Sequence, residues 1–175
     1  EADRMLADAP KEGSDYEKAL YVFKKLIDEV DYVEDSADNQ NIISAFLNHE
    51  TICQGYAYAT QYLLEKLGVS CTTVIGNVSD GPHAWNLVQL DGAYYHVDIT
   101  WDDPVYNGIR EADKPVFYGY FNVTTAQIRE DHTMDAENYP LPDCTATALN
   151  YYHKNRLVQR AFQVDAVAAL VKAAD

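Results

Sequence analysis

The chain has 175 residues, of which 47% are hydrophobic, and this length and composition suit one folded domain rather than a disordered segment. Its formal net charge of -15 argues against nucleic acid and anionic membrane surfaces as partners, because both are polyanions, and favours neutral or cationic substrates. No apolar run approaches the roughly 20 residues needed to cross a bilayer, so membrane insertion is not expected.

Three segments are predicted along the chain. Residues 1–13 are expected to form a loosely attached N-terminal arm, residues 14–158 the main domain, and residues 159–175 a C-terminal helix. That helix is expected to pack on the domain or to lead to a further one. Because the chain begins at Glu1 rather than at methionine, it is expected to be a trimmed piece of a longer protein with adjacent domains.

Helical patterns dominate the first part of the main domain. Ser14 and Glu17 have the spacing of a capping box, which predicts a helix beginning there. A second, shorter helix is predicted at 39–47, and a third at 53–67 that ends before Gly68. The expected apolar side of the second helix consists of Ile42, Ile43, Phe46 and Leu47.

Strand patterns follow. Residues 71–78 are rich in β-branched side chains, and 83–90 and 93–99 read as two further strands. The Asp-Gly pair at 91–92 is a strong signal for a hairpin turn between them. Residues 117–123 are predicted as another strand.

The last part of the domain is less regular. Thr124 and Gln127 form a second capping box that opens a short helix. Residues 150–158 are predicted as a final strand. Helices followed by mainly antiparallel strands indicate an α+β fold.

Cys53 is predicted at the start of the third helix. A helix N-terminus carries unpaired N–H groups and a partial positive charge, which stabilise a thiolate and lower the pKa of a cysteine. A buried structural cysteine in a patch of small residues explains the same pattern equally well.

The predicted hairpin brings a histidine and a carboxylate together. A turn centred on 91–92 sets Trp85 opposite Asp98 and His83 opposite Thr100, all on one face of the sheet. His83 is then the diagonal neighbour of Asp98, within reach of its carboxylate. The alternatives are a solvent-exposed His83 after a proline turn and an Asp98 that caps the end of a strand.

The other histidines give weaker signals. His96 shares the face of His83 but lies further from the open end, so it is interpreted as structural; His49, His132 and His153 have no usable pattern around them. The chain has no Cys-x-x-Cys or His-Glu-x-x-His motif and no glycine-rich phosphate loop, so no metal or cofactor is expected.

Cys71 and Cys144 leave two alternatives open. A bridge between them would suit an exported protein, whereas three free thiols would suit a cytosolic one. The sequence alone does not fix this pairing.

Three sequence blocks carry a family resemblance. Cys53 opens Cys-Gln-Gly-Tyr-Ala, His83 opens His-Ala-Trp-Asn, and Asp98 lies in Val-Asp-Ile-Thr-Trp-Asp-Asp. In this order they resemble the transglutaminase-like superfamily, and bacterial secreted or surface-attached members in particular. The resemblance covers residues 14–155, so the main domain is interpreted as a transglutaminase-like domain. It implies a papain-like α+β fold whose nucleophile helix packs on an antiparallel sheet.

The resemblance also implies a chemistry. Cys53 corresponds to the family nucleophile, His83 to the general base and Asp98 to the residue that orients it. The implied reaction is acyl transfer at amide bonds of a peptide or protein through a thioester, with water or an amine as the acceptor. Cell-wall peptide is one candidate substrate, and the implied location is extracellular or on a bacterial cell surface.

The chain departs from the family pattern at the oxyanion site. The better-known cross-linking members use a tryptophan upstream of the cysteine, whereas Trp85 and Trp101 both lie downstream of it. The Cys53 N–H is one expected donor, and Gln54 or an indole N–H is a candidate second donor. Trp101 and Asp102 are expected either to line the substrate groove or to pack at the end of the hairpin.

Two related enzyme families and one non-catalytic function are the other interpretations of this sequence. Peptide N-glycanases carry zinc-binding cysteine pairs, and arylamine acetyltransferases carry Arg-Gly-Gly beside the cysteine; this sequence has neither. A catalytically degenerate binding or scaffolding module of a bacterial surface protein remains the alternative to an enzyme.

Overall fold

The computed structural model describes residues 1–103, 116–134 and 140–158. The predicted C-terminal helix at 159–175 lies outside these residues. Among the helices that are described, none has the length and apolar character needed to span a membrane.

A five-stranded antiparallel sheet lies at the centre of the molecule. Its strands are β3 (Ser70–Val78), β4 (Gly81–Leu90), β5 (Ala93–Val97), β6 (Phe121–Val123) and β7 (Thr133–Met134). From one edge to the other they lie in the order β6-β5-β4-β3-β7. Asp91 and Gly92 both have positive φ angles, of 50° and 84°, as a two-residue type I′ hairpin turn requires. The predicted register is confirmed over the paired residues, since Leu90 pairs with Ala93 and Asn86 with Val97. The ladder ends there, so the expected pairs of Trp85 with Asp98 and of His83 with Thr100 are not formed.

Short and long helices surround the sheet. They are α1 (Ala2–Met5), α2 (Asp15–Glu29), α3 (Cys53–Lys66), α4 (Ile99–Asp102), α5 (Thr125–Ile128), α6 (Tyr151–Lys154) and a π-helix (Ser44–Asn48). Both predicted capping boxes are present, with Ser14 at the start of α2 and Thr124 at the start of α5. A parallel pair of two-residue strands, β1 (Asp31–Tyr32) and β2 (Glu50–Thr51), precedes α3.

The alternation of side chains along β4 divides the core. Val88 and Leu90 point to a main hydrophobic cluster shared with α2 and α3, while Trp85 and Leu87 belong to a second cluster on the opposite face. The Asn86 side-chain amide donates to the Ala57 carbonyl at 2.9 Å and ties α3 to the sheet. The α+β arrangement, with the helix that begins at Cys53 packed on an antiparallel sheet, is therefore confirmed.

The N-terminal segment is attached more firmly than expected. Met5, Leu6 and Ala9 are buried in the main cluster, and the Tyr21 hydroxyl donates to the Met5 carbonyl at 2.7 Å. The expectation of a loosely attached arm is wrong, because these apolar side chains contact α2. The domain boundary after residue 13 stays a prediction.

The second predicted helix has a different shape. Ser44–Asn48 form a π-helix, in which hydrogen bonds close wider turns than in an α-helix. Phe46 is buried, but Ile43 and Leu47 are 50% and 66% exposed. The expected apolar side is therefore partly wrong, since α-helical spacing does not describe this segment.

Two strands are shorter than predicted for reasons visible in their hydrogen bonds. The Tyr120 N–H donates to the Asp102 carboxylate at 2.8 Å rather than to a ladder, and the strand predicted at 117–123 begins only at Phe121. The strand predicted at 93–99 ends at Val97, because Asp98 caps the helix α4.

The predicted final strand at 150–158 is wrong. The Asn150 side chain accepts the N–H groups of Tyr152 and His153 and caps α6. Tyr151 stacks on Tyr118 with ring centroids 3.6 Å apart, which holds this short helix against the body.

The three cysteines, Cys53, Cys71 and Cys144, are all free thiols. Cys71 packs against the main cluster and Cys144 belongs to the second one, so the two lie on opposite faces of the sheet. The alternative of a Cys71–Cys144 bridge is therefore not realised.

Gly76 provides a test of the sheet edge. A Cβ atom there would lie 2.0 Å from the Thr133 carbonyl oxygen and 2.7 Å from the Trp85 ring. Because the first contact is backbone, Gly76→Ala should push β7 away from β3 and lower the free energy of unfolding by roughly 1–3 kcal/mol. Urea denaturation measures this change against Ile75→Ala, an exposed position of the same strand. Equal stability of the two variants would contradict the packing described.

Candidate active site

Cys53 is the first residue of α3 and is half-buried. Burial opposes ionisation of its thiol, but the hydrogen bond and positive charge of His83, together with the backbone N–H groups of Ala84 and Gln54, outweigh it. The pKa of Cys53 is therefore held below its ordinary value. This is the environment expected of a reactive thiol rather than of an inert one.

The hairpin and the turn after it bring His83 to Asp98. His83 Nε2 lies 2.7 Å from Asp98 Oδ2, and both side chains are buried. The other carboxylate oxygen, Oδ1, accepts the N–H of Trp101 at 3.4 Å. Asp98 thus combines both roles considered from the sequence, as a partner of His83 and as a cap.

The ionisation of this pair follows from its contacts. Burial works against a charged His83, yet the hydrogen bonds and charges of Asp98 and Cys53 prevail and raise its pKa to about 9. Burial likewise works against a charged Asp98, and hydrogen bonds from His132 and His83 lower its pKa nevertheless. Because Nε2 of His83 faces Asp98, Nδ1 is the ring nitrogen available to Cys53. The arrangement favours a thiolate beside an imidazolium.

His132 is the residue that sequence analysis missed. Its Nε2 lies 3.0 Å from the same Asp98 oxygen that His83 contacts, and its Nδ1 lies 2.5 Å from Asp131 Oδ1. The residue is buried and precedes β7, at the far edge of the sheet from β5. His132 and Asp98 are 34 positions apart, and the sequence carries no recognisable pattern that links the two.

Cys53 and His83 open into a cleft of about 380 Å³. Trp101 and Tyr32 provide aromatic walls, and Thr100 also lines it. The Thr100 Oγ1 atom is buried and has no hydrogen-bond partner within the described part of the chain. The cleft is therefore accessible to a substrate and offers it both apolar and polar contacts.

Three carboxylates add negative charge to this cleft, those of Glu34, Asp80 and Asp103. Asp103 also accepts a hydrogen bond from the Tyr56 hydroxyl at 2.6 Å. No lysine or arginine is present among the described lining residues. These positions are far apart in sequence and were not predicted.

Trp101 is the one member of the groove-lining prediction that borders the cleft, with 37% of its surface exposed. Asp102 does not border it, because its buried carboxylate accepts the Tyr120 N–H. Burial raises the pKa of Asp102 to about 7 and nearby Asp98 adds to the rise, against the effect of the N–H groups of Tyr120 and Gly119.

Two of the candidate oxyanion donors, Trp85 and Gln54, do not border the cleft, whereas the third, Trp101, does. Trp85 is buried, and its indole N–H donates to His96 Nδ1 at 3.1 Å. The Gln54 side chain runs along the helix surface and donates to the Tyr58 hydroxyl at 3.2 Å. His96 accordingly has the structural contact expected of it, and burial lowers its pKa to about 4. The second oxyanion donor stays undetermined, whereas the Cys53 N–H stays the predicted first.

Two clusters among the described residues could hold a metal ion. One consists of His83, Asp98 and His132 and the other of Glu1, Glu29 and His49, with the ligand atoms of each within 4.8 Å of one another. In the first cluster these atoms already bond one another. The absence of a metal cofactor stays a prediction.

Comparison with known proteins gives the family. A model of the transglutaminase-like superfamily matches residues 4–99, which is more than half of the chain and includes Cys53, His83 and Asp98. The chain is also 29% identical to human (Homo sapiens) kyphoscoliosis peptidase over 129 residues and 30% identical to the mouse (Mus musculus) protein over 106. These matches cover 63% and 53% of this chain but only 19% and 16% of those proteins.

Solved structures share the fold. A crystal structure of a TGase superposes with a TM-score of 0.51 at 16% identity, covering 64% of this chain and 34% of that one. A candidate cysteine protease from Cytophaga hutchinsonii superposes with a TM-score of 0.50 at 17% identity, covering 57% and 36% respectively. The papain-like α+β fold implied by the three sequence blocks is thus confirmed. With its family match and this fold, the chain belongs to the transglutaminase-like superfamily.

Proposed function

We propose that this chain is a thiol-dependent enzyme that transfers acyl groups from amide bonds of a peptide or protein. The observation that supports this most is the row Cys53–His83–Asp98 at an open cleft, with a thiol whose pKa is lowered. The similarity to a peptidase and the shared fold with a candidate cysteine protease support the same class.

In the first step of this mechanism, the Cys53 thiolate attacks the carbonyl carbon of the amide and forms a C–S bond. The oxyanion accepts a hydrogen bond from the N–H of Cys53, which is one of the first-turn N–H groups of α3 that lack an intrahelical acceptor. His83 then gives its Nδ1 proton to the amide nitrogen, the C–N bond breaks, and an amine leaves. The product is a thioester on Cys53.

In the second step, neutral His83 takes a proton from water or from a primary amine. The oxygen or nitrogen attacks the thioester, and the C–S bond breaks to restore the thiolate. Water gives hydrolysis and an amine gives transamidation. Asp98 holds the imidazole in the required orientation through both steps and stabilises its charged form.

The proposal extends to the kind of substrate and its setting. The carboxylates of Glu34, Asp80 and Asp103 favour neutral or cationic peptides over acidic ones. The sequence blocks that resemble bacterial surface proteins support an extracellular or cell-surface location, with cell-wall peptide among the candidate substrates. A degenerate binding or scaffolding module is the competing function, and thiol reactivity separates the two.

Cysteine labelling is the first test. Iodoacetamide labelling of Cys53, followed by mass spectrometry from pH 5 to 10, should show a midpoint below the ordinary thiol value of about 8.5. Burial raises the pKa of Cys71 and of Cys144, so these two cysteines are slow internal controls in the same sample. His83→Ala should shift the Cys53 midpoint upward. An ordinary midpoint in the wild type would favour the binding-module alternative.

Turnover should depend on the Cys53 sulfur. With reduced casein as the probe, mass spectrometry detects new peptide termini, and a fluorescent primary amine reports transamidation. Cys53→Ala should lose either activity by roughly 10⁴-fold or more, because no nucleophile is left. Cys144→Ala, far from the cleft, is the matched control. Full activity in Cys53→Ala would contradict the mechanism.

The pH dependence of turnover should be bell-shaped. The reactive ion pair forms as pH rises through the lowered pKa of Cys53 and is lost as pH rises through about 9, where His83 gives up its proton. Measuring kcat/KM from pH 5 to 10 checks both limbs. A rate that keeps rising beyond pH 9 would show that protonated His83 is not needed.

A further inference from the structure

His132 contacts the same oxygen of the orienting carboxylate as the candidate base does. Asp98 Oδ2 lies 2.7 Å from His83 Nε2 and 3.0 Å from His132 Nε2, so one oxygen serves two imidazole rings. The three side chains are at most 6% exposed. His132 lies beyond residue 99, where the match to the superfamily ends.

The hydrogen bonds determine the charge of His132. A neutral imidazole has one N–H, yet both nitrogens of His132 face carboxylate oxygens, Nε2 that of Asp98 and Nδ1 that of Asp131 at 2.5 Å. An imidazolium at His132 satisfies both contacts, because each of its two N–H groups then donates to one carboxylate.

Asp131 in turn has a second partner. Its Oδ2 accepts the Tyr120 hydroxyl at 2.5 Å while Oδ1 accepts from His132, so the carboxylate is fixed at both oxygens. The Asp131 side chain is 35% exposed, so its carboxylate is in contact with water. It thus links the buried His132 to the surface.

We propose that His132, held by Asp131, is a positioning residue that keeps the buried Asp98 carboxylate charged and aimed at His83. This inference rests on the proposed function and deepens it. It makes the site a row of five groups with alternating charge, Asp131, His132, Asp98, His83 and Cys53. His132 is not among the described residues that line the cleft, so in this proposal it acts through Asp98.

The burial of Asp98 supplies the physical reason. An ionised carboxylate without water requires donors and positive charge nearby. Burial alone would raise the pKa of Asp98, whereas the hydrogen bonds and the charges of His132 and His83 together lower it. Without His132, the charged form of Asp98 would be less stable, the imidazolium of His83 would be less stabilised by it, and the Cys53 thiolate would have a weaker counter-charge in turn.

Other groups near His132 do not replace it. The His96 ring stays neutral near pH 7, since burial lowers its pKa to about 4. The Asp102 carboxyl, whose pKa burial raises to about 7, disfavours a second charge at Asp98. Tyr120 keeps its proton, because burial and then its bond to Asp131 raise its pKa. Within the described residues, His83 and His132 are the two charged donors to Asp98.

Packing is the competing role for His132. Its ring centroid lies 4.5 Å from that of Trp101 and 5.0 Å from that of Trp85, so removing the ring also disturbs aromatic contacts. A residue that only packs would alter stability without shifting the ionisation of Cys53. The pH midpoint of Cys53 labelling therefore separates positioning from packing.

The experiment measures iodoacetamide labelling of Cys53 against pH in the wild type, His132→Gln and His153→Gln. The glutamine amide preserves a donor but cannot carry the positive charge, and His153 is an exposed histidine that serves as the control. We expect His132→Gln to raise the pH midpoint of Cys53 labelling by about one unit. At pH values below the midpoint, this shift lowers the labelling rate roughly tenfold. The rate at high pH and the labelling of His153→Gln should match the wild type.

Each outcome has one meaning. An unshifted midpoint in folded His132→Gln overturns this inference while leaving the proposed function intact. An ordinary midpoint already in the wild type overturns the proposed function itself. If His132→Gln fails to fold, Asp131→Asn tests the same row from the surface; a smaller upward shift supports the inference, and no shift overturns it.

Discussion

An ionised carboxylate out of contact with water is stable only where donors replace the water around it. Asp98 obtains these donors from three separate parts of the fold: His83 on β4, the backbone of Trp101 in α4, and His132 before β7. The hairpin turn, the helix after it and the sheet edge must therefore all be in place together. The requirement to satisfy one buried charge connects the geometry of the candidate site to the whole sheet.

This connection explains how the pKa of the Cys53 thiol, on α3, depends on the Asp98 carboxylate, which follows β5. Asp98 stabilises the positive charge on His83, and the hydrogen bond and charge of His83, with the backbone N–H groups of Ala84 and Gln54, lower the pKa of Cys53 against the effect of burial. Cys71 and Cys144 show the contrast within the same chain. Both are packed without a cationic neighbour that outweighs burial, and their pKa values are raised.

Local sequence rules predicted the elements that carry the first part of the site. Capping boxes mark the starts of α2 and α5, and the Asp-Gly turn fixes the register that brings His83 to Asp98. These predictions succeed because each depends on residues close in sequence. Local rules fail where a residue distant in sequence decides the structure. The Tyr120 N–H, for example, donates to Asp102 rather than to a neighbouring strand, so the predicted strand is shorter there.

His132 and the carboxylates of the cleft could not be found in this way. Nothing adjacent to His132 indicates that it meets a residue 34 positions earlier. The cleft likewise combines Tyr32 and Glu34 with Asp80 and Asp103, which approach one another only in the folded chain. A pattern within one segment carries no information about such contacts, since they depend on how the sheet is ordered.

The position of β7 at an edge of the sheet has a consequence for motion. Among the described residues, the register pairs Gly76 with Met134 and Asn77 with Thr133 hold this strand on β3, together with a bond from the Thr133 hydroxyl to the Asn77 carbonyl. Edge segments with few backbone bonds open locally at a lower free energy than the whole domain unfolds. His132 immediately precedes β7, and its N–H is bonded to the Ile128 carbonyl. With the proposed role of His132, an opening that extended from β7 to this residue would couple the ionisation of Cys53 to a local equilibrium at one edge of the sheet, and hydrogen exchange at Met134 would report on the opening of the strand.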